Sequence, residues 1–403
     1  MSVLSGKKIL LGISGGIAAY KTASLVRLFI KAGAHVKVVM TPASKDFITP
    51  LTLSTLSKNP VHSSFYHEED ENAVWNNHVE LGLWADLFVI APATANTLSK
   101  MVSGNADNLL IATYLSAKCP VYVAPAMDLD MYIHPSTKQS FARLQSFGNV
   151  IIPAESGELA SGLSGEGRMA EPENIMAFIE KDIEGKLPLR NKKILVTAGP
   201  TYEPIDPVRF IGNHSSGKMG FDIAMAAANE GAHVILITGP THLKMQHPNV
   251  KVVPVNSSAD MYTACHEYFN GVDAAVAAAA VADYRPKYVA PQKIKKSEGT
   301  LTLELEKTTD ILASLGEIKA QQFLIGFALE TENEIENAKL KIKKKNLDLI
   351  VLNSLNDDGA GFGKDTNKVT FIDRLFNEEP QELKTKEEVA RDIINKIKTH
   401  YNV

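Results

Sequence analysis

Four groups of residues have types and spacings suited to chemistry. The turn Ser14-Gly15-Gly16 precedes a helix start at 17–21. Backbone N–H groups at such a start can hold an anion, and glycines let a phosphate come close. The turn has neither the GxGxxG nor the Walker A spacing, which weakens the nicotinamide-dinucleotide and P-loop readings; a plain βα turn stays open on this stretch alone. His78 lies in Asn76-Asn77-His78-Val79-Glu80-Leu81, where a lone histidine at a helix start reads by default as structural. The run Asn213-His214-Ser215-Ser216-Gly217-Lys218 offers either a second phosphate cradle or a simple N-cap with a flexible turn. Lys341 and Lys345 are i,i+4 neighbours on a helix predicted over 332–346, so two ammonium groups share a face that could neutralise a triphosphate. Ile335, Ala338 and Ile342 supply that helix's packed face.

These groups sit where strands end. Ala91-Pro92-Ala93-Thr94-Ala95-Asn96 closes a predicted strand at 87–91, and Pro125-Ala126-Met127 closes another at 121–124. Small polar residues at the carboxyl ends of parallel strands are where α/β sheets bind ligands. Asn105-Ala106-Asp107-Asn108 caps a helix predicted over 107–117. In the second half, Thr197-Ala198-Gly199-Pro200-Thr201 ends a strand and Asp206-Pro207-Val208-Arg209 follows. An alanine-rich strand predicted over 273–279 delivers Asp283 to a strand end, and 323–327 ends at Phe327. Lys293-Ile294-Lys295-Lys296 lies in a Pro/Gly-flanked stretch; such a charge run is ordinarily a solvated face, and here it is a plausible mobile flap.

The two halves echo each other. Lys7-Lys8-Ile9-Leu10-Leu11-Gly12 recurs in type as Lys192-Lys193-Ile194-Leu195-Val196-Thr197, and Gly-Ala-His-Val announces the second strand of each, at 33–36 and 231–234. Alternating β-rich runs and amphipathic segments predict βαβ units and a mostly parallel sheet in each half. The fold class is therefore α/β with two tandem Rossmann-like domains. Glu184-Gly185-Lys186-Leu187-Pro188 combines a helix stop with a proline, which sets the domains at 1–187 and 188–403. A last helix opens on the capping box Thr385-Lys386-Glu387-Glu388 and presents Val389, Ile393 and Ile397 on one side.

Composition narrows the function classes. The chain has 403 residues, long enough for two cores, and 45% are hydrophobic against 22% charged, which excludes wholesale disorder. A formal charge of −4 gives no footprint for nucleic acid. Two cysteines far apart, Cys119 and Cys265, exclude a disulfide framework and fit a reducing cytoplasm. The start lacks an apolar h-region and no run is long enough to span a bilayer, so a soluble protein is expected.

On these motifs the first half resembles the flavin-dependent cysteine decarboxylases, of flavodoxin-like fold. The whole chain resembles the bifunctional phosphopantothenoylcysteine decarboxylase/phosphopantothenate–cysteine ligase family of coenzyme A biosynthesis. The resemblance implies FMN held by Ser14, Gly15, Gly16, Thr41, Ala91, Pro92, Thr94, Asn96, Asn105, Asp107 and Met127. It makes His78, just before Trp84-Ala85-Asp86, the catalytic base, and Arg168 and Met169 substrate-clamp residues. A cysteinyl carboxylate has no electron sink of its own. Hydride transfer from its thiol-bearing carbon to FMN makes a thioaldehyde, CO2 then leaves to give an enethiolate, and the hydride is returned. Two residues depart from the family pattern. Asp128 stands where PxMNxxMW has Asn, and an ionised Asp only accepts hydrogen bonds. Ser161 stands where the clamp segment has the Cys credited with protonating the enethiolate, and a hydroxyl is a far poorer acid than a thiol.

For the second half the resemblance implies a ligase in which Asn213 contacts an acyl-cytidylate, Lys293 assists its formation, and Ser215 and Ser216 bind substrate. CTP is held by Ala277, Ala278, Ala279, Asp283, Lys293, Thr309, Asp310, Ile311, Leu312, Phe327, Lys341 and Lys345. The carboxylate of 4'-phosphopantothenate displaces pyrophosphate from CTP, with Mg²⁺ bridging the phosphates, and the amine of cysteine then attacks the mixed anhydride. The small-molecule partners are thus 4'-phosphopantothenate, cysteine and CTP. Family members pair trimeric decarboxylase units with dimeric ligases, which implies a large homo-oligomer with a flavin site shared between subunits. Two rival readings are a two-Rossmann NAD(P) oxidoreductase, opposed by the missing fingerprint and acidic ribose partner, and a regulatory flavin-binding protein with an active ligase half, suggested by Asp128 and Ser161.

Overall fold

Each apolar run of the first half becomes a strand of one parallel sheet. β1 (Lys8–Ile13), β2 (His35–Met40), β3 (Val61–His62), β4 (Leu87–Ala93), β5 (Val121–Pro125) and β6 (Val150–Ile151) lie in the order β3-β2-β1-β4-β5-β6. All neighbouring pairs are parallel. This is the doubly wound Rossmann order; without the two-residue edge strand β3 it reads as the flavodoxin order. The period of two splits β1 between the faces: Ile9, Leu11 and Ile13 enter one core cluster with Leu25 and Phe29, and Leu10 enters the other with Leu109 and Ile111. The structure is a computed structural model and describes residues 2–66, 75–158, 162–295, 300–330, 332–354 and 365–403.

The helices of this unit are α1 (Thr22–Lys31), α2 (Pro50–Ser57), α3 (His78–Trp84), α4 (Ala95–Ser103), α5 (Leu109–Ser116), α6 (Leu129–Ile133), α7 (Pro135–Ser146) and α8 (Pro172–Lys186). A hairpin, β7 (Glu155–Glu158) with β8 (Ser164–Arg168), precedes α8. Local chemistry moves two expected boundaries. The helix expected from residue 17 opens as a 3₁₀ turn at Ile17–Lys21, the tighter start common at helix N-termini. The helix expected from 107 begins at Leu109 because the Asn108 side chain accepts the Ile111 N–H and so caps it.

The second unit repeats the plan. Its strands are β9 (Lys193–Ala198), β10 (Tyr202–Pro204), β11 (Phe210–Gly212), β12 (His233–Thr238), β13 (Val250–Pro254), β14 (Ala274–Ala277), β15 (Tyr284–Pro286), β16 (Leu305–Lys307), β17 (Phe323–Glu330), β18 (Leu349–Ser354), β19 (Thr366–Asn367), β20 (Val369–Asp373), β21 (Glu378–Pro380) and β22 (Lys384–Thr385). The main sheet runs β13-β12-β9-β14-β17-β18-β20-β21. Its first six strands are parallel and follow the same 3-2-1-4-5-6 logic, with β20 and β21 added antiparallel at one edge. α9 (Lys218–Asn229), α10 (Ser258–Phe269), α11 (Ile311–Ile318), α12 (Glu334–Lys344) and α13 (Lys386–Tyr401) cover it. The capping box at Thr385 and Glu388 forms, and Val389, Ile393 and Ile397 of α13 are fully buried. On α12, Ala338 and Ile342 are buried, but Ile335, in the first turn after the left-handed Asn333, is 37% exposed.

The chain divides into two compact units, Met1–Gly185 and Lys186–Val403. Both cysteines are free thiols, and burial pushes Cys265 up to about 12, which removes it as a nucleophile at neutral pH. Among the described residues no helix is long and apolar enough to cross a membrane.

Candidate active sites

In the first unit the strand order reverses between β1 and β4, and the chain leaves both strands through small residues. Ser14, fully buried, ties the two ends together: its Oγ donates to the Pro92 carbonyl at 2.7 Å and accepts the Thr94 N–H at 3.1 Å. Beyond this latch opens a cavity of about 960 Å³, within the range of cofactor sites. Of the residues expected from the sequence, Gly15, Gly16, Thr41, Thr94, Asn96, Asp107, Met127, Asp128, Arg168 and Met169 line it. Four expected contacts are not in its lining: Ser14, Ala91 and Pro92 are buried, and Asn105 is exposed.

Two observations fit FMN to this cavity. The Thr41 Oγ1 is buried without a hydrogen-bond partner among the described residues, a polar atom waiting for one. A Cβ on Gly15 would come within 2.8 Å of Ala43, so only glycine leaves this wall in place. The first turn of α4 also faces the cavity through Thr94, Ala95, Asn96 and Thr97, the arrangement that suits an anion.

The charged groups around the cavity are already ordered. Lys100 and Asp107 pair at 2.5 Å, and the hydrogen bond from Lys100 holds the Asp107 carboxyl below its ordinary value. The buried Lys21 ammonium donates to the Met169 carbonyl at 3.1 Å and to Glu171 at 2.9 Å. Arg168 reaches the same Glu171 oxygen at 2.5 Å. Lys21 lowers the Glu171 pKa, with Arg168 adding to it. Asp128 caps α6, its Oδ1 accepting the Leu129 N–H at 2.7 Å. Sequence reasoning missed Tyr20, Lys21, Lys100, Asn108, Met131 and Glu158 in the lining. Only Lys21 carried a usable signal, a charge next to an apolar helix stripe.

His78 begins α3 and does not line the cavity of its own chain. Its ring stands edge-on to Phe65 and Trp75, and its buried Nδ1 has no hydrogen-bond partner among the described residues. Ser161 lies outside the described residues.

In the second unit the chain leaving β14 is diverted early. The Thr197 Oγ1 accepts the Ala279 N–H at 3.1 Å and the Gly199 carbonyl accepts the Ala280 N–H at 2.9 Å, so the strand expected over 273–279 stops at Ala277. The loop beyond is held from three sides. Asn213 Nδ2 donates to the Val281 carbonyl at 2.9 Å, Thr201 Oγ1 accepts the Ala282 N–H at 3.0 Å, and the Thr308 N–H donates to the Asp283 carbonyl at 2.9 Å. Ala277, Ala278, Ala279 and Asp283 therefore sit on a fixed ledge. Ser215 and Ser216 accept the Gly217 and Lys218 N–H groups as α9 begins.

The expected nucleotide lysines come to neighbouring strand and helix ends with carboxylate partners. Lys341 pairs with Glu330, the last residue of β17, at 2.6 Å. Lys345 pairs at 2.8 Å with Asp310, which caps α11 through the Ala313 N–H. Burial works against the Asp310 charge, but the Lys345 ammonium and the Ala313 N–H outweigh it, and the carboxyl lies below its ordinary value. Ile311 and Leu312 begin α11 after Thr309, and Phe327 of β17 is half-buried against the core. Lys293 is exposed. Glu330 as the partner of Lys341 was not foreseen; the acidic end of an otherwise apolar strand was its only mark. No cluster of three or more His, Cys, Asp or Glu suited to a metal ion occurs among the described residues.

Comparisons with known proteins match both units. Residues 2–184 fit the family described as Flavoprotein, and residues 189–401 fit the DNA/pantothenate metabolism flavoprotein C-terminal domain. A cysteine/cysteine sulfinic acid decarboxylase from an unknown prokaryotic organism is 54% identical over 357 residues, covering 87% of this chain and 99% of that protein. The coenzyme A biosynthesis bifunctional protein CoaBC of Bacillus subtilis strain 168 is 43% identical over 397 residues, covering 98% of this chain and 97% of that protein. Its counterpart in Escherichia coli K12 is 42% identical over 406 residues, with 99% and 98% covered. With both domains matched along nearly their whole length, the chain belongs to the family of bifunctional coenzyme A biosynthesis flavoproteins.

Proposed function

We propose that the second unit joins cysteine to 4'-phosphopantothenate at the expense of CTP, and that the first decarboxylates the product to 4'-phosphopantetheine with FMN. The observation that carries the reading is the pairing, in one chain, of a cavity fitted to a flavin with a second α/β unit of the same strand order in which Asn213 holds the loop after β14 and Lys341 and Lys345 each rest on a carboxylate. Bound in the cavity, FMN supplies the reversible hydride acceptor that a cysteinyl carboxylate lacks. Gly15, Gly16, Thr94 and Asn96 hold its phosphate, while Thr41 and Met127 face the rest of it. Arg168, fixed by Glu171, attracts the carboxylate of the substrate, and Met169 packs behind it.

His78 moves the proton at the substrate thiol. It does not line its own chain's cavity, so the reading includes a homo-oligomer in which it serves a neighbouring copy. Val79 and Leu83 on α3 and Leu115 on α5 are 42%, 58% and 50% exposed, an apolar face suited to such packing. In the second unit Lys341 and Lys345 leave their carboxylates to meet the triphosphate, with Mg²⁺ as its counter-ion. Lys293 supports charge at the α-phosphate, and Asn213 holds the acyl-cytidylate while the amine of cysteine attacks it.

One preparation tests both halves. Sustained pyrophosphate release should require CTP, 4'-phosphopantothenate and cysteine together, with at most one equivalent per site released when cysteine is left out, and the yellow, FMN-containing protein should release CO2 from the purified product. A colourless protein, or pyrophosphate release that continues over many turnovers without cysteine or occurs without 4'-phosphopantothenate, overturns the assignment of the corresponding unit.

One residue favours a wider substrate range. A carboxylate at Asp128 suits the α-ammonium of a free amino acid, which an N-acylated cysteine lacks, and the relative at 54% identity is named for decarboxylating cysteine and cysteine sulfinic acid. CO2 release from those two amino acids, lost on Asp128→Asn while phosphopantothenoylcysteine is still turned over, supports this; no release from either removes it.

A further inference from the structure

We propose that Asp206 is a positioning residue of the ligase half: its buried carboxylate anchors the backbone that carries Lys293. The inference rests on the reading of Lys293 as the lysine that assists acyl-cytidylate formation. Asp206 is 2% exposed and sits in the turn that joins β10 to β11. Its Oδ1 accepts the Val208 and Arg209 N–H groups, both at 2.9 Å. Its Oδ2 accepts Arg209 Nε at 2.9 Å, a second bond from Arg209 Nη2, and the Ile294 N–H at 3.1 Å. Five donors saturate an ionised carboxylate.

The Ile294 peptide is gripped on both sides. Its N–H goes to Asp206, and its carbonyl accepts Arg209 Nη2 at 3.0 Å. Four residues earlier, the Ala290 N–H donates to the Ile205 carbonyl at 3.0 Å. Residues 290–294 are thus laid along the 205–209 turn, and Lys293 is the residue just before the clamped peptide, its side chain exposed. The same turn leads through β11 directly into Asn213, whose amide is fixed on Val281. One buried carboxylate therefore sets the spacing between Lys293 and Asn213. Such spacing matters because a displacement of about 1 Å at a reacting group can cost about a hundredfold in rate.

The full-length chain tests this with Asp206→Asn, Lys293→Ala and the double variant. Ligase turnover is followed by pyrophosphate release, and CO2 release from separately prepared phosphopantothenoylcysteine serves as an internal control of the other unit. The expected result for Asp206→Asn is a ligase kcat lowered about 10- to 100-fold with CO2 release within about twofold of wild type. In the Lys293→Ala background the same substitution costs less than about twofold more, because a residue acting through Lys293 has nothing left to position. Arg209→Lys keeps the charge beside Asp206 but loses the grip on the Ile294 carbonyl; it shows a smaller loss with the same non-additivity, which covers the case where Asp206→Asn does not fold. Losses that multiply in the double variant, or an unimpaired Asp206→Asn, overturn the anchor while leaving Lys293 in place. An unimpaired Lys293→Ala instead overturns the ligase role of Lys293, and the anchor with it.

Discussion

The two units share one strand order and treat its reversal point differently. In the first, Ser14 latches the ends of β1 and β4 together, and a cavity of about 960 Å³ stands open beyond it. In the second, the chains leaving β9 and β14 are zipped together by a bridge between Pro200 and Ala280; Ala277, Ala278, Ala279 and Asp283 stay on that held loop, while Lys341 and Lys345 pair with carboxylates at the end of β17 and the start of α11. The charges differ in the same sense. Lys21 is bound into the wall by Met169 and Glu171 with only 6% of its side chain exposed, whereas Lys341 and Lys345 are more open, at 40% and 19%, and an arriving anion can compete for them with Glu330 and Asp310. A resident cofactor calls for a preformed cavity, since the protein then orders it once. A nucleotide that is consumed at every turnover suits groups whose partners exchange. The same topology thus serves retention in one unit and turnover in the other.

The comparison breaks most visibly if either reversal point is filled. A Cβ on Gly239 would lie 1.7 Å from the Pro200 carbonyl oxygen, a contact with backbone that cannot give way. Gly239→Ala is expected to abolish pyrophosphate release while flavin absorbance and CO2 release persist. Gly15→Val drives carbon into the backbone and side chain of Ala43, and the reverse pattern is expected: more than tenfold loss of bound FMN by its visible spectrum, with the ligase intact. Loss of both activities in either variant would show that the two sites do not work independently.

The exchangeable lysines come next. On the role proposed for Lys345, Lys345→Ala is expected to raise KM for CTP about 10-fold with little change in CO2 release; an unchanged KM removes that role. Glu330→Gln frees Lys341 from its carboxylate, so the apparent affinity for CTP should rise or hold, not fall. A fall on Glu330→Gln would make Glu330 a ligand of the reacting complex and the ion pair a working contact, not a resting one.

At the latch the effect is on stability. Ser14→Ala leaves the Thr94 N–H without its acceptor, while the Pro92 carbonyl loses the hydroxyl but keeps the Ser14 N–H at 3.3 Å, which together cost about 1–3 kcal/mol. Both tryptophans, Trp75 and Trp84, lie in the first unit, so urea unfolding followed by tryptophan fluorescence reads that unit alone. An unchanged midpoint would mean that the cavity mouth is held by packing and not by this hydroxyl.

What the sequence made legible follows the range of each interaction. Strand runs such as the one expected over 87–91, which runs on to Ala93, and the apolar run after Lys192, the capping box at Thr385 and the echo of the two halves depend on neighbours in the chain, and they form where the sequence puts them. Gly15, Gly16, Thr94 and Met127 were readable because residues at strand ends meet wherever parallel strands align. The partners of Lys21, Lys341 and Asp206 were not, because Glu171, Glu330 and Ile294 stand 150, 11 and 88 positions away, and the one local mark among them, the acidic end of β17 at Glu330, does not say which lysine it meets. The early stop of β14 was equally hidden, since it is set by hydrogen bonds to Thr197 and Gly199 across the sheet.

The smallest effect expected separates a retained charge from an exchangeable one by its pH dependence. Lys21 holds the Glu171 carboxyl below its ordinary value of 4.5, so the folded chain binds that proton less readily than the unfolded one. The stability it contributes is therefore complete above about pH 4.5 and fades as pH falls through the lower folded value. Glu171 is 38% exposed at its side chain, so solvent screens much of the attraction and the contribution is modest. Glu171→Gln should lower the urea midpoint of the first unit at pH 7, and the gap from wild type should narrow as pH drops below 4.5. A gap that stays constant with pH would mean that Glu171 supports Lys21 by shape and hydrogen bonding alone, and the electrostatic contrast between the two sites would then rest on Lys341 and Lys345.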